Sequence, residues 1–353
     1  MNSNRKNIKY LILALFITAF LASSVFSQGI PPPPTPVLPE KPNRETRPNP
    51  RPKIYTPRSR VNRSRDETSE KSIAVNNKVT VQLCVLEGNL KVNGWDRNEV
   101  RVFVSEGSNI GFNIIEKGKQ HGNPVWVEVT GNETARSQPK QSSECLHGDE
   151  IEIDVPRNSS VNVKGQESRA VIDSVRKVVI KNIGGDITVR NIAEGVEAST
   201  YEGDVTVENS SGAFTLESAT GNIVAFEASP SEIGDVFKAK TSNGTIALQA
   251  LEHRQIEVNS ISGSISYNGE LLSGGLYNFG TSNGAITLAI PTDSSCKITA
   301  SYGFGVFNSE IPLKNIQKNA PSRVQNLSAL MGDGGATLNL TTNSGAIRIR
   351  SKK

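Results

Sequence analysis

"TSNGTIALQA" runs from Thr241 to Ala250, and "TSNGAITLAI" runs from Thr281 to Ile290. The two phrases share a form: a small polar corner, a glycine, then a strand of alternating apolar residues. The same form recurs on either side. "GGDITV", "EGDVTV", "TGNIVA", "NGTIAL", "SGSISY" and "NGAITL" align on Gly185, Gly203, Gly221, Gly244, Gly263 and Gly284, in steps of 18, 18, 23, 19 and 21 residues. "GFGVFN" at Gly305 and "SGAIRI" at Gly345 continue the series less regularly.

A period of about 20 residues is the signature of stacked coils, none of which can bury its apolar face alone. The spacing therefore predicts an all-β chain, a β-solenoid. Ile187, Val205, Ile223, Ile246, Ile265, Ile286 and Ile347 should form one continuous apolar ladder. The corner glycines, Gly345 included, should supply positive φ without a Cβ penalty, and the small polar residues before them should close the turn. A second geometry stays open. Asn-Gly between alternating runs is also a hairpin signal, so "VFKAKTSNGTIALQA" reads equally as two antiparallel strands, and a series of such hairpins makes a β-sandwich. The near-constant spacing favours coils.

The N-terminus sets the compartment. Arg5, Lys6 and Lys9 precede the uncharged apolar run "LILALFITAFLA" and the small-residue stretch "SSVFSQ". That is the order of a secretory signal peptide, residues 1–27, with cleavage before Gln28. Residues 28–72 follow as a Pro-rich, basic tether. Eleven of the chain's 18 prolines lie between Gln28 and Arg60. Proline lacks the backbone donor that a sheet or helix needs, so an extended spacer is expected. The formal charge of +4 is concentrated in these two segments. The body, residues 73–351, is mildly acidic and lacks the basic bias of a nucleic-acid binder. No stable membrane span is expected once the signal is cleaved, and the product should be periplasmic, surface-bound or secreted.

An exported chain meets oxidising conditions. Cys84, Cys145 and Cys296 allow three single pairings, and spacing does not rank them. The shared N-terminal position of Cys84 and Cys145 makes that disulfide the preferred one, with three buried small hydrophobes as the alternative.

Little else points to chemistry. His121, His147 and His253 are the only histidines. "ECLHGDE" gathers Cys145, His147 and Asp149, but without a recognised zinc spacing. Asp186 and Asp204 occupy equivalent corners, and the next coils place Asn222, Thr245, Ser264 and Ala285 there. An acid ladder that lapses so soon reads as solvated corners, and "MGDGGA" around Asp333 reads as a glycine-rich turn falling short of a calcium loop. Trp95 should cap the first coil; an exposed sugar-stacking ring is the alternative. The sequons at Asn132 and Asn158 are formal matches only.

Three stretches carry a family resemblance: "GNLKVNGWDRNEVRV" (88–102), "IDVPRNSSVNVKG" (153–165) with the following "GGDITVRNI", and "ITASYGFGVFNSEIPL" (298–313) with "LMGDGGATLNLTTNSGAIRIR" (330–350). Together they resemble a bacterial domain of unknown function grouped with adhesins and related to the head domain of autotransporter adhesins. The resemblance implies an exported or envelope-linked β-solenoid and supplies no catalytic residues. The expected function is a non-enzymatic surface binding module for a glycan or protein ligand, with no cofactor, metal or catalytic site. A structural or stress-related envelope protein and a polysaccharide-active enzyme are the alternatives.

Overall fold

The structure, a computed structural model, describes residues 68–118, 122–131, 145–319 and 323–352. The signal segment, the tether up to residue 67, His121 and Asn132 lie outside these. All regular structure in the described residues is strand, twenty-five in number. The first, Ser69–Ala74, begins ahead of Ile73 and takes up the last residues of the expected tether.

The Asn243–Gly244 phrase is a corner between two walls, not a hairpin. Val236–Asn243 pairs in parallel with Phe214–Thr220 on one side and Gln255–Ser262 on the other. Ile246–Leu251, beyond the corner, pairs in parallel with Ile223–Ser229 and Ile265–Asn268. Each coil thus contributes one strand to a first wall and one to a second. β-branched and aromatic residues at every second position suit such half-buried strands.

The predicted ladder is present in register. Ile187 pairs with Val205, Val205 with Ile223, Ile223 with Ile246, Ile246 with Ile265, Ile265 with Ile286 and Ile286 with Ile347. Ladder members are at most 1% exposed. The first wall contributes its own inward row of Val178, Val196, Phe214, Phe237, Ile256 and Tyr277. Burying each such side chain stabilises by about 1.5–3 kcal/mol.

At two of the corners, Gly244 and Gly284, the glycine is required for a reason other than the expected positive φ. A Cβ on Gly244 would lie 2.0 Å from the Gly221 carbonyl oxygen, and one on Gly284 2.1 Å from that of Gly263. At neither glycine is the backbone in the left-handed region. Close approach of the neighbouring coil, rather than positive φ, excludes a side chain there. The same crowding recurs at Gly185, Gly203, Gly221, Gly263 and Gly345, and these five also take the expected positive φ, from 103° to 159°. The threonine of each phrase explains the approach. Thr241 Oγ1 donates to the Gly221 carbonyl at 2.9 Å, and Thr281 Oγ1 to the Gly263 carbonyl at 2.9 Å. Ser218, Ser260 and Thr342 make the equivalent bonds. These hydroxyls are buried, so each needs its partner, and each draws one corner down onto the last.

Stacking order and chain order part company at both ends. Near the C-terminus, Ala336–Ser344 sits between Leu276–Asn283 and Cys296–Phe304, while Ile347–Ser351 sits between Ile286–Ile290 and Phe307–Ser309. The coil at Gly305 therefore lies beyond the coil at Gly345, although it comes earlier in sequence. The antiparallel strands Gln325–Met331 and Lys314–Lys318 cover its first-wall edge. Near the N-terminus, Thr80–Trp95 runs through both walls. It is sandwiched between Ser160–Asp173 and a layer made of Pro124–Thr130 and Leu146–Pro156. Antiparallel strands close that end too.

Candidate functional site

Most residues with chemical potential are committed to the stack. Asp186 Oδ1 accepts the Asp204 backbone N–H at 3.0 Å, and Asp204 Oδ1 accepts that of Asn222 at 2.7 Å. Asn222 Oδ1 does the same for Thr245 at 2.9 Å. The corner row is therefore a ladder of backbone acceptors in which carboxylate, amide and hydroxyl are interchangeable, which is why acids lapse along it. Arg169 pairs with Asp186 at 3.2 Å. Asp333 lies in the tight turn leading to the last coil, where its N–H and that of Gly335 donate to Ser295 Oγ. Among the described residues no group of three or more His, Cys, Asp or Glu is arranged to hold a metal ion.

Cys84 and Cys145 are joined by a disulfide that ties the first-threaded coil to the layer covering it. Cys296 is a buried free thiol, pushed up to about 11 by burial. His147 is held through Nδ1 to Ser108 Oγ at 2.8 Å, and that oxygen also accepts the His147 N–H at 2.9 Å. Ser108 is only 4% exposed, so the pair shapes a turn and presents no accessible nucleophile. His253 is fully buried between Phe214 and Phe237, and its Nε2 lies 2.8 Å from the Gly212 carbonyl. Burial holds its pKa below the usual histidine range.

Trp95 is half-buried beside the N-terminal layers. Its Nε1 donates to the Glu99 carbonyl at 2.8 Å, and the guanidinium groups of Arg97 and Arg101 stand 5.0 and 5.7 Å from its ring. Cation–π partners already occupy the ring. Asn158 lies in an exposed turn and passes its carbonyl to Arg176.

The outward face of the first wall changes character along the stack. Its earlier coils carry ion pairs, Lys181–Glu197 at 3.2 Å and Lys238–Glu257 at 3.9 Å. From Asn259 onward the same outward rows carry Asn278, Gly280, Asn339, Thr341 and then Thr299 and Ser301, all uncharged. A groove of about 470 Å³ opens here, lined by Asn259, Ile261, Asn278, Gly280, Asn339 and Thr341, with Lys240 at one end. Gly280 makes the floor, since every neighbouring outward position has a side chain. Asn339 Nδ2 donates to Asn278 Oδ1 at 2.8 Å, which fixes two amides in one row.

The sequence reading missed this groove. A glycine inside a strand, as in "NFGTSNG", marks a gap or a close approach, and that signal was available at Gly280. The Asn278–Asn339 pair was not legible, because the coils that carry it are distant in sequence.

The Toastrack DUF4097 family profile matches residues 59–350. No curated protein compared with the chain matches it. Among solved structures, that of a "putative cell adhesion protein" from Clostridium sporogenes is similar at 12% identity and a TM-score of 0.24, over 82% of this chain and 100% of that one. The family match spans nearly the whole described solenoid: the chain belongs to the Toastrack DUF4097 family.

Proposed function

We propose that this chain is an exported, non-enzymatic surface or envelope module that binds a neutral glycan chain across the groove at Gly280. In this reading residues 1–27 direct export, the Pro-rich segment that follows, ending ahead of the strand Ser69–Ala74, serves as a spacer, and kinship extends to the head domain of autotransporter adhesins. The observation that carries it is the change from ion pairs to uncharged amides and hydroxyls along one face. Each amide offers two donors and an acceptor, and adjacent strands repeat them about every 4.8 Å. An uncharged polyhydroxylated chain is the ligand that such a row can satisfy without burying an unpaired charge.

Binding of the full chain to an array of neutral and anionic glycans tests this. Neutral glycans should bind with little dependence on salt, and Gly280→Arg should abolish binding. A Cβ at Gly280 meets only the end of the Asn259 side chain, at 2.8 Å, which can swing aside, so the variant keeps its fold. Absence of binding, or binding confined to anionic polymers, overturns the reading. Release of oligosaccharides would replace it with an enzyme. Sequencing of the mature N-terminus should begin near Gln28.

A further inference from the structure

Among the six regular glycines two steps exceed the other three: 23 residues between Gly221 and Gly244, and 21 between Gly263 and Gly284. Insertions in a solenoid collect on one face, often the binding face. Here both fall at the turn from the second wall to the first. The larger is the excursion Pro230–Asp235, and the smaller is Glu270–Gly275. They flank a cleft of about 510 Å³ whose floor is formed by Glu252, Arg254 and Gln255.

Both sides of the cleft are built to stay in place. Asp235 Oδ2 accepts from the Ser231 N–H at 2.9 Å, the Ser231 hydroxyl at 3.0 Å and the Glu232 N–H at 2.9 Å. On the other side, Tyr277 Oη accepts the Leu272 N–H at 2.7 Å, and Tyr267 Oη donates to the Glu270 carbonyl at 2.7 Å. Both tyrosine rings are fully buried, so the second loop is pinned from within the core. A fixed site loses less entropy when it is occupied.

The lining is part apolar and, with three carboxylates against one guanidinium, net acidic. Ile233 stands at the tip of the first loop, 107% exposed, and Leu276 on the opposite side is 37% exposed. No packing requirement of the fold places an isoleucine there. Arg254 donates to the Ser273 carbonyl and Asp235 accepts from its own loop, both keeping their charge at the cleft. The carboxylates of Glu232 and Glu252 are left to line the cleft. An apolar anchor bordered by two acids complements an apolar side chain bordered by a cation, and charge complementarity of this kind selects partners.

We propose that this cleft is a docking site for an extended protein segment carrying an isoleucine or leucine beside a lysine or arginine. The site is separate from the groove at Gly280 and does not rest on the glycan reading. The test uses the full chain and immobilised synthetic peptides in which one isoleucine is neighboured by lysine, with matched peptides in which glutamate replaces lysine. The lysine peptides should bind, the glutamate peptides should bind at least tenfold more weakly, and added salt should weaken the lysine set. Ile233→Asp and Glu252→Lys should each weaken binding at least tenfold with an unchanged melting temperature, since both side chains are outside the core. Gly280→Arg should bind the lysine peptides as the parent does. Failure of every peptide to bind, equal binding of the two sets, or unaltered binding by Ile233→Asp and Glu252→Lys overturns the proposal.

Discussion

Ile347 lies in register on Ile286, although the chain builds another complete coil and a capping hairpin between them. The apolar row stays unbroken because the late coil enters between two earlier ones. The core is thus defined by stacking and tolerates a departure from chain order.

The register can be tested at one residue and its neighbour. Ile265 is 1% exposed and stacked between Ile246 and Ile286. Ile265→Ala should destabilise by about 2–5 kcal/mol in urea unfolding, and Ile256→Ala on the facing wall by a similar amount. Ser264 points outward but accepts the Ala285 N–H at 3.3 Å. Ser264→Lys should cost about 0.5–1 kcal/mol, the value of one exposed hydrogen bond. Equal losses at Ile265 and Ser264 would mean that the register is wrong.

The corner glycines separate crowding from conformational freedom. Gly244→Ala places a methyl against a backbone carbonyl that is itself held by Thr241. A loss of about 3 kcal/mol is expected, as for an overpacked core. Gly280→Ala meets only a movable amide and should stay within about 0.5 kcal/mol of the parent. Thermal unfolding of the pair decides it, and a tolerated Gly244→Ala would show that the coils are not so closely stacked.

Strain is stored at the far end of the second wall. Asn191, Asn209, Glu227 and Ala250 take φ of 56°, 42°, 54° and 52° in successive coils. Asn191 and Asn209 use the position well, since Asn209 Nδ2 donates to Asn191 Oδ1 at 2.7 Å. Ala250 is exposed and gains nothing from it. Ala250→Asn should raise stability by about 0.5–1 kcal/mol, because asparagine enters the left-handed region with little penalty. A lower denaturation midpoint would count against this.

His253 predicts an acid sensitivity. Burial is the main cause that lowers its pKa from 6.5, opposed by the Gly212 carbonyl and by the charges of Asp235 and Glu252. The unfolded chain therefore takes up this proton more readily than the folded one. Stability from this group is complete above about pH 6.5 and falls as pH drops toward the lowered folded value. Unfolding midpoints should decline between pH 7.5 and pH 5, with a shallower decline in His253→Leu. An identical slope in the variant would assign the effect elsewhere.

The Cys84–Cys145 bond closes a loop of 61 residues. Chain entropy alone makes its removal cost about 4 kcal/mol. Cys84→Ala with Cys145→Ala should unfold at correspondingly lower urea, and peptide mapping should find Cys296 free. An unshifted midpoint would show that the covering layer is held by packing alone.

The solenoid was legible from "TSNG" because glycine, threonine and isoleucine each answer a local demand that repeats with every coil. Placement of the coils at Gly305 and Gly345 was not legible, since both carry the same corner and periodicity cannot say which is outermost. The groove was half-legible: Gly280 breaks the outward row within a single strand, but its amide neighbours come from distant coils. The cleft left its mark as two longer steps, of 23 and 21 residues, within a spacing taken as near-constant.

Threading both end coils beneath a covering layer turns the stack into a clasp. A plain array frays from its last unit inward, one coil at a time. Here, cutting the chain at Gly335 would not trim the outermost coil. It would withdraw a leaf from inside the book and strip Cys296–Phe304 and Phe307–Ser309 of the parallel partners they rest on. Assembly carries the same constraint in reverse. The Gly305 coil has its parallel partners only once Ala336–Ser351 lies beneath it, so that end of the molecule is complete only with the last residues of the solenoid in place.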